Sequence, residues 1–258
     1  MKILMKIKIL GCHGGGGKDR GLTSFLVNEK LCIDAGNITG ALDINEQRKI
    51  ENIIISHTHL DHIRDIPLIA DNFIEIPGKM LNIYSHEFAI KALKENFFNN
   101  IIFPDFACIP ENNPVINYHI VKNKSPFIVN GIKITPIFVN HTVPNMGYIL
   151  DDGKVAFGFI SDTYKTEDIY FEINKNKRIR FVIIEVSFPN ELEEIAYLSK
   201  HLTPKLLEEE LKKIRDDIKI YIYHLKPAYE KKIHEELKLL STNKEISILE
   251  DGLEIEIS

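Results

Sequence analysis

The stretch NIIISHTHLDH, Asn52 to His62, carries an apolar run directly into His57, His59, Asp61 and His62. In extended chain His57 and His59 point to the same side, and a turn after them brings Asp61 and His62 round. Four imidazole and carboxylate groups within six residues resist dry packing unless a cation or hydrogen bonds satisfy them. Taken alone, the stretch also reads as a polar loop closing a strand. Its meaning depends on what the rest of the chain sets beside it.

Outward from this stretch, short apolar β-branched runs recur: KIKIL, SFLV, LCI, LNIYS, GIKITPIFV, GYIL, VAFGFIS, RFVIIEVS, IYIYHL and EISILEDGLEIEI. They read as strands. Helical patterns lie between many of them. TPKLLEEELKKIRDD offers Thr203 as N-cap and Pro204 at the first helical position. YEKKIHEELKLL and HEFAIKALKENFF carry apolar residues at helical spacing. Early strands read as hairpin-linked and later ones as alternating with helices. The expectation is an α/β fold with two sheets and outer helices, one domain over residues 1–258. Asn96 to Pro126, which holds FFNNIIFPDFACIPENNP, reads as a long irregular loop of the kind that serves as lid or substrate wall.

Several runs end on a polar residue: Asp34 after LCI, His141 after TPIFVN, Asp162 after VAFGFIS, Glu185 after FVII, His224 after IYIY. In open α/β sheets, ligands bind at the carboxyl ends of strands. If these strands share an edge, His57, His59, Asp61, His62, His141, Asp162 and His224 converge. That set is enough for two divalent ions with one carboxylate shared. It contains no cysteine and suits zinc, and also manganese or iron. Singly, each of His141, Asp162 and His224 reads as an ordinary strand-end residue; the signal is the set.

The chain has 258 residues, is 44% hydrophobic and carries a net charge of -5, a balance that disfavours a general nucleic-acid binder. Its three cysteines, Cys12, Cys32 and Cys108, share no zinc or redox spacing. With few thiols and no secretory or membrane-spanning run, a cytoplasmic protein is expected. Near the N-terminus, GCHGGGGKDRG approaches a P-loop, but Cys12 and Asp19 stand where that motif needs glycine and a hydroxyl.

HTHLDH followed by a later His, Asp and His resembles the metallo-β-lactamase superfamily. The resemblance implies an αββα four-layer sandwich. It assigns His57, His59 and His141 to one metal and Asp61, His62 and His224 to a second, with Asp162 bridging and Asp34 in support. EVSFPNELEEIAYLSKHLTP contains Ala196, His201 and Thr203 in an A-x-x-x-x-H-x-T pattern. This is similar to the histidine motif of the phosphodiesterase branch, which includes ribonuclease Z. The resemblance implies that His201 protonates the leaving oxygen, that Glu185 supports it, and that Asp61 orients the nucleophile. Without the metal set, His201 would read only as the end of one helix before the Thr203 cap.

HTHLDHI, NNIIFPDF, SFPNELEEIAYLSKHLTP and YHLKP further resemble the class II cyclic-nucleotide phosphodiesterases, although Asp65 stands where that family has glycine. The implied reaction is hydrolysis of cAMP or cGMP to the 5′-monophosphate, with two metals acidifying a shared water. A ribonuclease Z-like endonuclease acting on RNA is the alternative, and a non-catalytic nucleotide- or metal-binding module the third reading. No membrane partner is expected, and a homodimer is left open. Phe103 and Phe106 read as core residues or base-stacking groups, and Lys226 as solvated or phosphate-facing. The glycine stretch then reads as the rim of the metal edge, with His13 as a pocket-wall candidate. Its glycines supply positive φ and close backbone approach.

Overall fold

The structure is a computed structural model that describes residues 5–257. Residues 1–4 and 258 lie outside the described residues. The first half of the chain forms β1 (Met5–Gly11), β2 (Ser24–Val27), β3 (Leu31–Ile33), β4 (Asn52–Ile54), β5 (Leu81–Ser85) and β6 (Ile116–Ile120). The second half forms β7 (Phe127–Val129), β8 (Ile132–Val139), β9 (Asn145–Asp151), β10 (Ala156–Phe159), β11 (Ile179–Glu185), β12 (Lys219–Tyr223) and β13 (Ile246–Ile248). β14 (Glu254–Ile257) returns to pair with β1, giving seven-stranded sheets of order β14-β1-β2-β3-β4-β5-β6 and β13-β12-β11-β10-β9-β8-β7.

Each half follows the same plan. β1, β2 and β3 are antiparallel, and β3 to β6 are parallel. Likewise β7 to β10 are antiparallel and β10 to β13 parallel. The expected contrast between an early hairpin region and a late alternating region is therefore corrected: both regimes occur in both halves. EISILEDGLEIEI, one run in the sequence, is split between the sheets by a turn in which Gly252 has φ +85°.

Alternation decides which side chains meet between the sheets. Met5, Ile7 and Ile9 of β1 face Met146, Tyr148 and Leu150 of β9 and Phe157 and Phe159 of β10 in one buried cluster. Phe25 packs edge-on against Phe159 and Tyr223, with ring centroids 5.4 and 5.6 Å apart. The intervening residues point outward. Ile53 and Ile83 pack with Ile66, Ile69, Ile90 and Leu93 of helices Ile66–Asp71 and Glu87–Asn96. Val182, Ile184 and Ile222 pack with Ile169, Leu207 and Ile233 of helices Asp168–Lys175, Pro204–Leu211 and Glu230–Leu237. Burial on both faces explains why Phe181 to Ile184 of β11 are apolar without a break. The αββα layering follows. Thr203 caps its helix as expected, its hydroxyl accepting from Leu206 N at 3.3 Å.

The 97–115 segment is not a lid. Helix Glu87–Asn96 starts at the carboxyl end of β5, runs back along the sheet, and delivers the loop to the amino end of β6. There Leu81 N donates to Val115 O and Ile116 N to Phe106 O. Phe106 is buried in the sheet–helix core and Phe103 packs against it, so neither is a stacking platform. β6 itself, INYHI, lies inside the region expected to be irregular.

Candidate metal centre

The carboxyl ends of β3, β4, β8, β10, β11 and β12 meet at one edge. β4 ends three residues before His57 and β8 two residues before His141; Asp34 and His224 follow β3 and β12 directly, and Glu185 closes β11. The structure brings all seven expected ligand residues together there. Donor atoms of His57, His59 and His141 form one group and those of Asp61, His62 and His224 another, each within 4.8 Å. His141 Nε2 stands 3.2 Å from His59 Nδ1. One Asp162 oxygen lies between the groups, 3.1 Å from His224 Nε2, 3.2 Å from His62 Nε2 and 3.8 Å from His57 Nε2.

The ring orientations follow from what holds the opposite nitrogen. Asp34 accepts from Ser56 N and Ser56 Oγ, and its Oδ2 lies 2.8 Å from His62 Nδ1. Ser56 Oγ is 3.0 Å from His57 Nδ1, the Lys200 carbonyl 3.1 Å from His141 Nδ1, and Ser187 Oγ 2.8 Å from His224 Nδ1. With an acceptor at each Nδ1, the proton is assigned there and Nε2 carries the lone pair. His57 Nε2 and His62 Nε2 are buried and have no hydrogen-bond partner. Lone pairs aimed at one point with nothing to receive them are costly, and they fit divalent cations. Sequence alone does not single out Ser56, Ser187, Asn145 or Tyr223. Asn145 donates to the Asp162 carbonyl at 2.6 Å, and Tyr223 OH to Asp162 Oδ1 at 3.1 Å. Their only sequence signal is position, next to or within two residues of a strand end or a ligand.

Backbone geometry marks the same edge. Asp34, Ser161 and His224 have φ of 56°, 61° and 68°, the left-handed region that side-chain-bearing residues rarely occupy. The glycine stretch lies against His224, whose N–H donates to Cys12 O at 2.7 Å. A Cβ at Gly14 would stand 2.5 Å from His224 Nδ1. The rim role is thus observed through close approach. The expected positive φ is not: no glycine of this stretch has one, and Asp19 has instead φ 57°. Lys226 donates to Gly14 O at 2.9 Å and is committed to the loop.

His201 sits beside the cluster, its ring centroid 5.2 Å from those of both His141 and His224. Its Nδ1 lies 2.8 Å from Glu185 Oε1, while Ser187 Oγ donates to Glu185 Oε2 at 2.8 Å. Burial lowers His201 and His141 to about 4. Burial, then the Asp162 charge, raises Glu185 to about 8. Burial and then His62 hold His57 well below the usual imidazole value. Burial also opposes charge on His62, but Asp162, Asp34 and Asp61 outweigh it and raise His62 well above that value. For Asp162, burial pushes upward and is outweighed by His224 and His62, which hold the carboxyl well below its ordinary range. Asp65 ties the fold together locally, accepting from Thr39 N, Thr39 Oγ1 and Arg64 Nε at 2.7 to 2.8 Å.

The sandwich and its histidine edge define a class, and the comparisons agree. A family model described as the Beta-lactamase superfamily domain matches residues 36–224, and the chain belongs to that superfamily. Ribonuclease Z of Metallosphaera sedula is 26% identical over 160 residues, 59% of this chain and 50% of that protein. The chain thus spans about half the length of this relative. Unliganded yeast PDE1 superposes with a TM-score of 0.85 at 18% identity, over 99% of this chain and 100% of that one. A diphosphatase from the PhnP family gives 0.70 at 19% identity, over 98% of each chain. At such identities the likeness is one of fold. Among the described residues, no helix is long and apolar enough to cross a membrane.

Proposed function

We propose that this chain is a metal-dependent phosphodiesterase that opens a 3′,5′-cyclic nucleotide, cAMP or cGMP, to its 5′-monophosphate. The observation that carries the reading is His201 held through Nδ1 by Glu185 at 2.8 Å, beside the seven-residue cluster. His57, His59 and His141 would hold one divalent ion and Asp61, His62 and His224 another, with Asp162 reaching both. Zinc suits these donors, and manganese or iron is compatible. When bound, such ions acidify a water and neutralise phosphate oxygens.

The chain's own residues supply the rest. Asp61 Oδ2 lies 3.2 Å from His224 Nε2, so the two would share one ion, and Asp61 directs the attacking water. The new P–O bond forms as the P–O3′ bond breaks. Glu185, raised to about 8, keeps its carboxyl proton and donates it to His201 Nδ1, so the neutral ring carries its own proton on Nε2 and gives it to the departing 3′-oxygen. Glu185 and Ser187 keep that ring from rotating. The resemblance of HTHLDHI, NNIIFPDF, SFPNELEEIAYLSKHLTP and YHLKP to the class II cyclic-nucleotide phosphodiesterases supports the cyclic-nucleotide reading.

A second reading, a ribonuclease Z-like endoribonuclease, is favoured by the 26% identity to the Metallosphaera enzyme. One panel separates the two: cAMP, cGMP and a precursor tRNA, with metal content measured on the same sample. Release of a 5′-nucleoside monophosphate from cAMP or cGMP supports the first reading. Cleavage of the tRNA with both cyclic nucleotides inert replaces it with the second.

A further inference from the structure

Away from the seven-residue cluster, Cys12, His13 and Asp251 bring a thiol, an imidazole and a carboxylate onto one point. Cys12 Sγ lies 3.2 Å from Asp251 Oδ1 and 3.8 Å from His13 Nδ1, and His13 Nδ1 lies 3.3 Å from the same Oδ1. We propose that these three side chains form a third metal site, for zinc or a similarly thiophilic divalent cation.

The triangle has the right size. Tetrahedral zinc bonds of about 2.0 to 2.3 Å to O, N and S put ligand atoms roughly 3.3 to 3.6 Å apart. The carboxylate is already oriented from behind, since Cys12 N donates to Oδ1 at 3.1 Å and Gly21 N to Oδ2 at 2.6 Å. Such outer hydrogen bonds are what metal ligands require. The Leu249 carbonyl, 3.4 Å from Cys12 Sγ, offers a further oxygen. Access is from a cavity of about 250 Å³ whose walls include His13, Leu249, Asp251 and His234.

Charge balances as well. Binding forms a sulfur–metal bond and releases the Cys12 thiol proton to solvent. Thiolate and carboxylate then neutralise a divalent cation, with His13 neutral. The thiolate selects against magnesium, calcium and manganese, so this site and the nitrogen–oxygen cluster differ in preference. The cation would fasten the glycine stretch to the turn between β13 and β14, behind the Cys12 carbonyl that accepts from His224.

The test uses cobalt(II) titration of the metal-free full chain, followed in the near ultraviolet, with zinc content measured in parallel. The nitrogen–oxygen cluster has no thiolate, and a Cys108→Ser background removes the exposed thiol, so thiolate-to-cobalt charge transfer reports the new site, whatever the enzyme hydrolyses. The wild type should show that absorption. Cys12→Ser should lack it and hold about one zinc fewer per chain. His13→Gln, which keeps the buried thiol if the serine variant does not fold, should weaken cobalt binding by ~10-fold or more. Absence of the absorption in the wild type, its persistence in Cys12→Ser, or equal zinc content would each overturn the site and leave a hydrogen-bonded clamp.

Discussion

At the scale of single residues, the cluster depends on groups that never touch a metal. Ser187 spans three side chains: its hydroxyl lies 2.8 Å from both Glu185 Oε2 and His224 Nδ1 and 3.1 Å from His201 Nδ1. Removing it frees the His224 ring and leaves Glu185 with one buried oxygen unserved. Ser187→Ala is therefore expected to lower affinity for the ion that His224 would hold by about 10- to 100-fold. Isothermal titration with zinc checks this, and unchanged affinity would show that His224 is oriented by other contacts. The candidate ligands themselves are legible in the sequence because imidazoles and carboxylates at strand ends are chemically conspicuous. Ser56, Ser187, Asn145 and Tyr223 are not, since serine, asparagine and tyrosine occur at many strand ends and gain meaning only from what faces them.

Among the elements, the parallel strands are the most legible and the edges the least. β4 and most of β11 are buried on both faces, so apolar runs betray them, while β5 and β12 alternate buried with half-buried residues and show the strand period directly. β6 exposes Ile120 and β7 exposes Ile128, so their sequence lacks a clean period. The glycine stretch misleads because glycine signals both positive φ and close approach, and only the second operates here. Gly14→Ala should drive a methyl into His224 and empty one of the two ion positions while far-ultraviolet circular dichroism stays native; full metal content in that variant would contradict the packing.

A second element-scale test concerns the far end of the sheets, where Arg178 Nη2 pairs with Asp151 Oδ2 at 2.6 Å. Burial alone would raise Asp151, but Arg178, Gly153 N and Asn176 outweigh it and depress the carboxyl below its ordinary 3.8. A depressed carboxyl contributes stability above 3.8 that is lost as pH falls through the folded value. The melting-temperature gap between wild type and Asp151→Asn should thus be widest near neutrality and close on acidification. A gap independent of pH would rule out the charge as its source.

For the whole molecule, two sheets built on one plan press a shared aromatic core against each other, and that contact sets the metal edge. Phe157 and Phe181 stack at 5.2 Å within it, and Phe157 is fully buried. Phe157→Ala should cost about 3 to 5 kcal/mol in denaturant unfolding. A loss below ~1 kcal/mol would mean that the sheets repack without it. The layering itself is readable from alternating strand and helix patterns. The repeated plan is not, because strand direction lies in pairing rather than in residue type.

Whether this edge performs the proposed reaction is decided by one comparison: cAMP and cGMP turnover by wild type and His201→Ala at equal, measured metal content. The wild type should release a 5′-monophosphate product above a chelated control, and the variant should lose about 10²-fold or more with its metals retained. Equal rates in the two proteins, or no turnover of either nucleotide by the metal-loaded wild type, would contradict the assignment.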